Sequence, residues 1–174
     1  MNPKEVFKFC PKCGGKLIKK EGNLLDCSKC GFHFYINPLP CNGVIIENDK
    51  GEIMLVKRKF EPKKGYWDWP GGFINSGESL EDSVKREIKE ELGVDVREIE
   101  IVGVYEDRYL YQDILDYTIC IAVSAKITGG SLKVSDDISG YKYFSKEEIF
   151  RQNFAFPSIK QGVSDYLTKK GRNR

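Results

Sequence analysis

Glu87, Glu90 and Glu91 lie at i, i+3 and i+4, a spacing that projects all three carboxylates from neighbouring positions on one face of a helix. On an isolated helix such neighbours repel by about a few tenths of a kcal/mol per pair. A bound divalent cation reverses that sign by giving the three a common counter-ion, and hard carboxylate oxygens suit Mg²⁺ or Mn²⁺. Taken alone, E-x-x-E-E can equally be a solvated acidic face, so the surrounding elements decide. Ser79 can cap the amino end, and Glu81 and Asp82 fall in the first turn, where negative charge meets the positive end of the helix dipole. Leu80, Val84, Ile88 and Leu92 recur every four residues as one apolar stripe, and Gly93 stands where a helix stops. The spacing predicts a helix from about Ser79 to Leu92. Just ahead of it, Gly71-Gly72 lets the backbone approach a metal or phosphate with no Cβ in the way.

A second constellation precedes it. Cys10-Pro-Lys-Cys13-Gly and Cys27-Ser-Lys-Cys30-Gly are two knuckles with thirteen residues between Cys13 and Cys27, the layout of a four-cysteine zinc ribbon. Gly14 and Gly31 permit the tight turn each knuckle needs. A segment of about 38 residues buries too little apolar area to fold alone, so a metal cross-link is physically motivated. Two disulfides are the alternative, disfavoured in a chain that opens with no secretion signal. Four thiolates leave tetrahedral Zn²⁺ no open position, so its role is structural. Cys41 and Cys120 read as buried small hydrophobes. His33, the single histidine, rules out sites built from several.

The glutamates belong to a longer pattern: Gly72, five residues, Glu78, seven residues, then Arg86-Glu87-Ile88-x-Glu90-Glu91-x-Gly93-Val94. It agrees with every fixed position of the Nudix box, so the chain resembles a Nudix hydrolase. The resemblance implies a loop-helix-loop that binds Mg²⁺ through Glu87, Glu90 and Glu91 with the backbone carbonyl of Gly72. It also implies a brace between Glu78 and Arg86, where a bidentate contact requires Arg rather than Lys. The likeness covers roughly residues 39–174 and implies an α/β/α sandwich with a mixed sheet. Residues 1–38, leaving through Tyr35-x-x-Pro38, resemble the zinc ribbon ahead of the Nudix domain in NADH pyrophosphatases, and Phe154-Ala155-Phe156-Pro157-Ser158 resembles the ending of such chains.

The implied reaction is Mg²⁺-dependent hydrolysis of a phosphoanhydride in a nucleoside diphosphate linked to another moiety, such as ADP-ribose, NAD(H) or another dinucleotide, or a sugar nucleotide. Water attacks phosphorus in line, and a carboxylate takes its proton. Glu87 and Glu90 are candidates for that base. In some relatives a loop glutamate serves, and Asp136 and Asp137 occupy a similar region here. Val102 to Asp107 stands where NADH pyrophosphatases carry Ser-Gln-Pro-Trp, and Tyr109-Leu110-Tyr111 where ADP-ribose hydrolases often place a proline. The alternative function is a nucleotide sensor without catalysis, whose basic ribbon binds nucleic acid; such a protein is expected to lose box carboxylates, and none is missing.

Composition sets the remaining bounds. The chain has 174 residues, 40% hydrophobic and 31% charged, as expected of a globular domain with a small extra module. No apolar run nears a membrane span, which predicts a cytoplasmic protein with no membrane partner. Residues 1–38 hold seven Lys and three acids, 169–174 hold four basic residues and no acid, and the rest is net acidic. The basic ends suit polyanions including nucleic acid, or are simply solvated lysines. A nucleotide-type small molecule is the expected partner, and a homodimer is allowed.

Asn37 to Pro40 reads as an extended linker, which puts the boundary between residues 1–38 and 39–174. Asn42–Glu47 and Glu52–Arg58 read as a hairpin about a turn at Asn48–Gly51. Val96–Tyr105 and Ile114–Ile127 read as strands, the second buried on both faces. Glu106–Asp113 reads as a loop lining a pocket, with Arg108 and Tyr109 as substrate contacts. Arg108 or Lys57 would balance charge on the leaving phosphate, or form surface salt bridges. Trp67 and Trp69 either stack on a nucleobase or close one end of the core. A strand at Tyr141–Phe144, a capping box at Ser145–Glu148 and a helix from Pro157 complete the chain.

Overall fold

A computed structural model describes residues 1–172. The chain forms two compact units, Met1–Leu39 with Arg108–Tyr117, and Pro40–Asp107 with the chain from Thr118 onward.

The first unit opens with one turn of helix, α1 (Pro3–Val6), capped by the Asn2 side chain, which accepts from the Lys4 amide at 2.9 Å. Three short strands follow, β1 (Leu17–Lys19), β2 (Leu24–Cys27) and β3 (His33–Tyr35), paired antiparallel in that order. Leu17 faces Cys27, and Leu25 faces Phe34. The two-residue period of a strand therefore gathers these side chains on one face, where Cys10, Leu17, Leu25 and Cys27 form a small core. Arg108–Tyr117 joins this unit through the Leu115 amide, which donates to the Met1 carbonyl at 2.9 Å.

The second unit is built from β4 (Leu39–Ile46), β5 (Ile53–Arg58), β6 (Trp67–Asp68), α2 (Leu80–Leu92), β7 (Val94–Tyr111), β8 (Ile114–Gly130), β9 (Ile138–Phe144), α3 (Lys146–Ile149) and α4 (Pro157–Arg172). Its sheets run β4-β8-β7 and β6-β5-β9. β5 pairs antiparallel with β6 and β9, while Trp67 bridges Phe154 in parallel sense, so the arrangement is mixed. Alternation along β4 and β5 divides the core in two. Val44, Ile46, Met54 and Val56 pack with Val84, Ile88 and Leu92 of α2, whereas Ile45, Ile53 and Leu55 pack with Ile159 and Val163 of α4. Strands buried on both faces between helices are the expected α/β/α sandwich.

α2 begins and ends as its sequence predicts. The Ser79 hydroxyl accepts from the Asp82 amide, and Gly93 takes a left-handed conformation with φ 72°. Val84, Ile88 and Leu92 are fully enclosed, worth about 2 kcal/mol each. That outweighs repulsion of a few tenths per glutamate pair, so the stripe can hold an acidic face in place. Ser145 and Glu148 form the predicted capping box.

Four expectations are corrected. Glu106–Tyr111 is strand, not loop: β7 continues to a two-residue turn at Gln112-Asp113, both at positive φ, as a tight hairpin requires. β8 is buried on both faces only near Ala122-Val123; Tyr117 and Ile119 are exposed. Leu39 and Pro40 belong to β4, whose place at the edge of its sheet tolerates proline. β4 and β5 lie in different sheets, joined by a single bridge at Glu47 and Ile53.

Candidate active site and metal centre

Arg86 is the hub of the helix face. Its Nε and Nη2 grip the Glu78 carboxylate at 2.7 and 3.0 Å, Nη1 donates to Glu87 at 2.7 Å and to Glu90 at 3.1 Å, and Nη2 also reaches the Phe73 carbonyl at 3.1 Å. These contacts occupy all five guanidinium donors, which an ammonium cannot imitate. The Arg86 contact and the Asn75 amide hold the Glu78 carboxyl down to about 2. Burial pushes the Glu87 carboxyl up, an effect only partly offset by Arg86.

Glu91 turns elsewhere. Its Oε2 accepts from the Gly71 amide at 3.0 Å. Burial, with Asp68, Glu87 and Asp137 nearby, pushes its carboxyl up to about 8. Glu91, Asp68, Asp137, Gly71 and Trp69 line a cavity of about 170 Å³. Asp68 is itself buried against Arg58 at 2.8 Å, and burial raises its carboxyl against that partner.

The double glycine is required by what surrounds it. A Cβ on Gly72 would lie 2.6 Å from the Glu87 carboxylate, and one on Gly71, where φ is 140°, would lie 2.5 Å from the Asn42 carbonyl. Asn42 fixes the bend: its amide donates to the Gly72 carbonyl at 2.8 Å, and its side chain donates to Ser83 Oγ on α2 at 2.9 Å. Asn42 Oδ1 is buried with no hydrogen-bond partner among the described residues. This tie was missed in the sequence, where a polar residue at the start of a β-branched run gives no sign that it faces a helix.

The three glutamates are not drawn together as expected: Glu87 and Glu90 turn to Arg86 and Glu91 to the Gly71 amide. Their hard oxygens, beside a backbone bend without Cβ and with Glu90 left 58% exposed, are still the donor type of a hard divalent cation. The cysteines fit a soft one. Their four sulfurs lie within 4.8 Å of one another, the only such group of three or more donors among the described residues. Three of the six separations, at 3.3 to 3.9 Å, lie near the ~3.8 Å edge of a tetrahedron with ~2.3 Å Zn–S bonds. Gly14 and Gly31 have φ of 69° and 68°, and their amides donate back to Cys10 and Cys27, so the two knuckles repeat one turn. The Cys30 backbone amide lowers the Cys27 thiol to about 6. No disulfide forms among the described residues.

The proposed substrate contacts divide. Trp69 is 6% exposed and packs in the core against Gly43 and Gly162, so its ring serves packing first. Trp67 is half-buried, edge-on to Phe144, with the Lys57 ammonium 5.8 Å from its ring. Arg108 and Tyr109 fall in the cysteine unit, not in the unit that holds the glutamates, because the strand carries them into the hairpin tip. Asp137 lines the Glu91 cavity, while Asp136 lies exposed, 3.6 Å from Lys59.

Comparison with known proteins identifies the family. A family model, the NUDIX domain, matches residues 38–165. An ADP-ribose pyrophosphatase of Methanocaldococcus jannaschii is 35% identical over 164 residues, which cover 93% of this chain and 89% of that one. The NAD-capped RNA hydrolase NudC of Haemophilus influenzae is 35% identical over 103 residues, and the match spans 57% of this chain and only 38% of that relative. A Nudix hydrolase structure from Nitrosomonas europaea superposes with a TM-score of 0.75 at 26% identity, covering 97% of this chain and 94% of that one. The Nudix domain of Shewanella oneidensis NrtR, solved with ADP ribose, shares the fold with a TM-score of 0.65 at 20% identity, over 78% of this chain and 90% of that one. The chain belongs to the Nudix family.

Proposed function

We propose that the protein is a pyrophosphatase that cleaves a phosphoanhydride in a nucleoside diphosphate linked to a second moiety, with ADP-ribose the leading substrate. The observation that carries this reading is the complete Arg86 network joining Glu78, Glu87 and Glu90, beside Glu91 on the Gly71 amide. Likeness to an ADP-ribose pyrophosphatase over nearly the whole chain supports the substrate.

Glu87, Glu90 and Glu91 would hold Mg²⁺ or Mn²⁺, with Gly72 supplying the close backbone. A cation bound there supplies charge neutralisation and Lewis-acid polarisation at phosphorus. Arg86 and Glu78 orient the ligands. Asp137 lines the same cavity as Glu91 and would take the proton that the attacking water gives up. Cys10, Cys13, Cys27 and Cys30 would bind Zn²⁺ in a structural ribbon over residues 1–38, with the Nudix domain following from residue 39. No helix of the described residues is long and apolar enough to cross a membrane; that and the unpaired thiols support a reducing, cytoplasmic setting.

A panel of ADP-ribose, NADH, other dinucleotides and sugar nucleotides, assayed for nucleoside monophosphate release with Mg²⁺, tests the reading. ADP-ribose should be cleaved, with turnover falling by about 10²–10³-fold in Glu90→Gln, the loss that follows removal of one electrostatic contributor to the transition state. No turnover with any member would overturn it.

A further inference from the structure

We infer that the outer face of the β1-β2-β3 sheet is a binding platform for single-stranded nucleic acid. The inference goes beyond the hydrolase reading and does not depend on it.

Register defines the face. Ile18, Asp26 and His33 stand opposite one another across the three strands, and Leu24 stands opposite Tyr35. Phe9 bridges Lys16 at the open edge. Period-two alternation then sets Phe9, Lys16, Ile18, Lys20, His33 and Tyr35 on the side away from Leu17, Leu25 and Cys27. The burial agrees: Phe9 is 72%, Tyr35 55% and Ile18 46% exposed, while Leu17, Leu25 and Cys27 opposite them are enclosed. Rings so exposed on a regular sheet cost free energy in water and contribute nothing to the small core beneath.

Charge then identifies what fits them. The cysteine unit holds eight Lys and Arg against five Asp and Glu, whereas the rest of the chain holds 20 against 21. Two of those five acids are already paired with lysines, Glu5 with Lys19 at 3.6 Å and Asp26 with Lys20 at 3.8 Å, and Asp26 also meets His33 Nδ1 at 2.6 Å. Lys8, Lys12, Lys16 and Lys29 have no ion-pair partner among the described residues.

Lysines interleaved with exposed rings match a strand whose phosphates need counter-charge and whose unstacked bases need flat partners. Phe9 and Tyr35 sit at opposite corners of the sheet, roughly 20 Å apart from strand spacing and rise, which spans a few nucleotides. Between them the Asp26–His33 pair offers polar groups to base edges. The same pair opposes insertion into a lipid surface, where it would be desolvated. A duplex, with its bases stacked inside, would use the lysines and not the rings.

The test uses the full-length, zinc-loaded protein and a fluorescein-labelled ten-nucleotide RNA of mixed sequence, read by anisotropy at 50 and 200 mM salt. Phe9→Ala with Tyr35→Ala should weaken binding at least 10-fold and leave the salt dependence unchanged. Lys16→Glu with Lys20→Glu should weaken binding and flatten that dependence. The duplex of the same sequence should bind more weakly and be indifferent to the ring pair. Zinc content and ADP-ribose turnover, unchanged in both variants, show that each unit is folded. If the ring pair loses zinc, the exposed lysine pair and a Tyr35→Leu variant, expected to bind several-fold more weakly, carry the test. Binding that neither surface variant alters would overturn the proposal. So would failure of the wild type to bind RNA while it binds phosphatidylserine vesicles.

Discussion

At the cysteines, four sulfurs lie within 4.8 Å of one another; at α2, the carboxylates are shared between a guanidinium and a backbone amide. The difference follows from how each side chain is held. A cysteine has one rotatable bond before its sulfur, so two copies of the same turn, each with glycine at positive φ, aim the donors by backbone alone. A glutamate has three, so the helix fixes the face and the partners fix the direction. Arg86 gathers Glu78, Glu87 and Glu90, and the Gly71 amide takes Glu91. One cluster is closed, with thiolates as its only donors, and suits a structural ion. The other is open on the Glu90 side and carries its own counter-charge, as a site that exchanges ion and substrate requires.

The largest effect on this contrast should come from Cys27→Ser. Structural zinc contributes on the order of 10 kcal/mol in small modules, so this variant should lose zinc and amide-exchange protection throughout β1 to β3. Retention of both would break the comparison from the cysteine side. Arg86→Lys comes next. It cannot hold Glu78 in two bonds while also directing Glu87 and Glu90, and a misplacement of about 1 Å costs about 10²-fold in rate, so ADP-ribose turnover should fall by that order with zinc content unchanged. Wild-type turnover would mean that the hub only braces the fold.

A third effect, spread over several pH units, concerns Glu91. Its carboxyl sits at about 8 when folded against 4.5 for the free side chain, so the folded state keeps a proton that the unfolded chain releases. Stability therefore falls as pH rises through this window, by at most about 1.4 kcal/mol per pH unit. Glu91→Gln should flatten that decline in urea unfolding without added divalent cations. Parallel slopes in the two proteins would show that burial does not hold the proton there.

Much of this was legible in the sequence because it rests on local spacing. Ser79 and Gly93 bound α2, Leu80 to Leu92 stripe it, and the C-x-x-C-G pairs fold as two equal turns. What escaped was tertiary. Polar and aromatic residues from Glu106 to Tyr111 resemble a loop, and only the positive φ of Gln112 and Asp113 marks the hairpin end. Trp69 offered stacking and packing equally until Gly43 and Gly162 proved to make room for its ring. The separation of Glu91 from Glu87 and Glu90 lies in side-chain direction, which helical spacing does not specify. The Asn42–Ser83 tie joins residues 41 apart in sequence.

The central claim is that the glutamate face holds an exchangeable divalent cation while the cysteines hold a permanent one. Titrating zinc-loaded protein with Mn²⁺, following the paramagnetic resonance of the free ion, tests it most directly. The account predicts a Mn²⁺ site in the wild type that weakens at least 10-fold in Glu87→Gln with Glu90→Gln, at unchanged zinc content. Equal Mn²⁺ binding by the two proteins would contradict it.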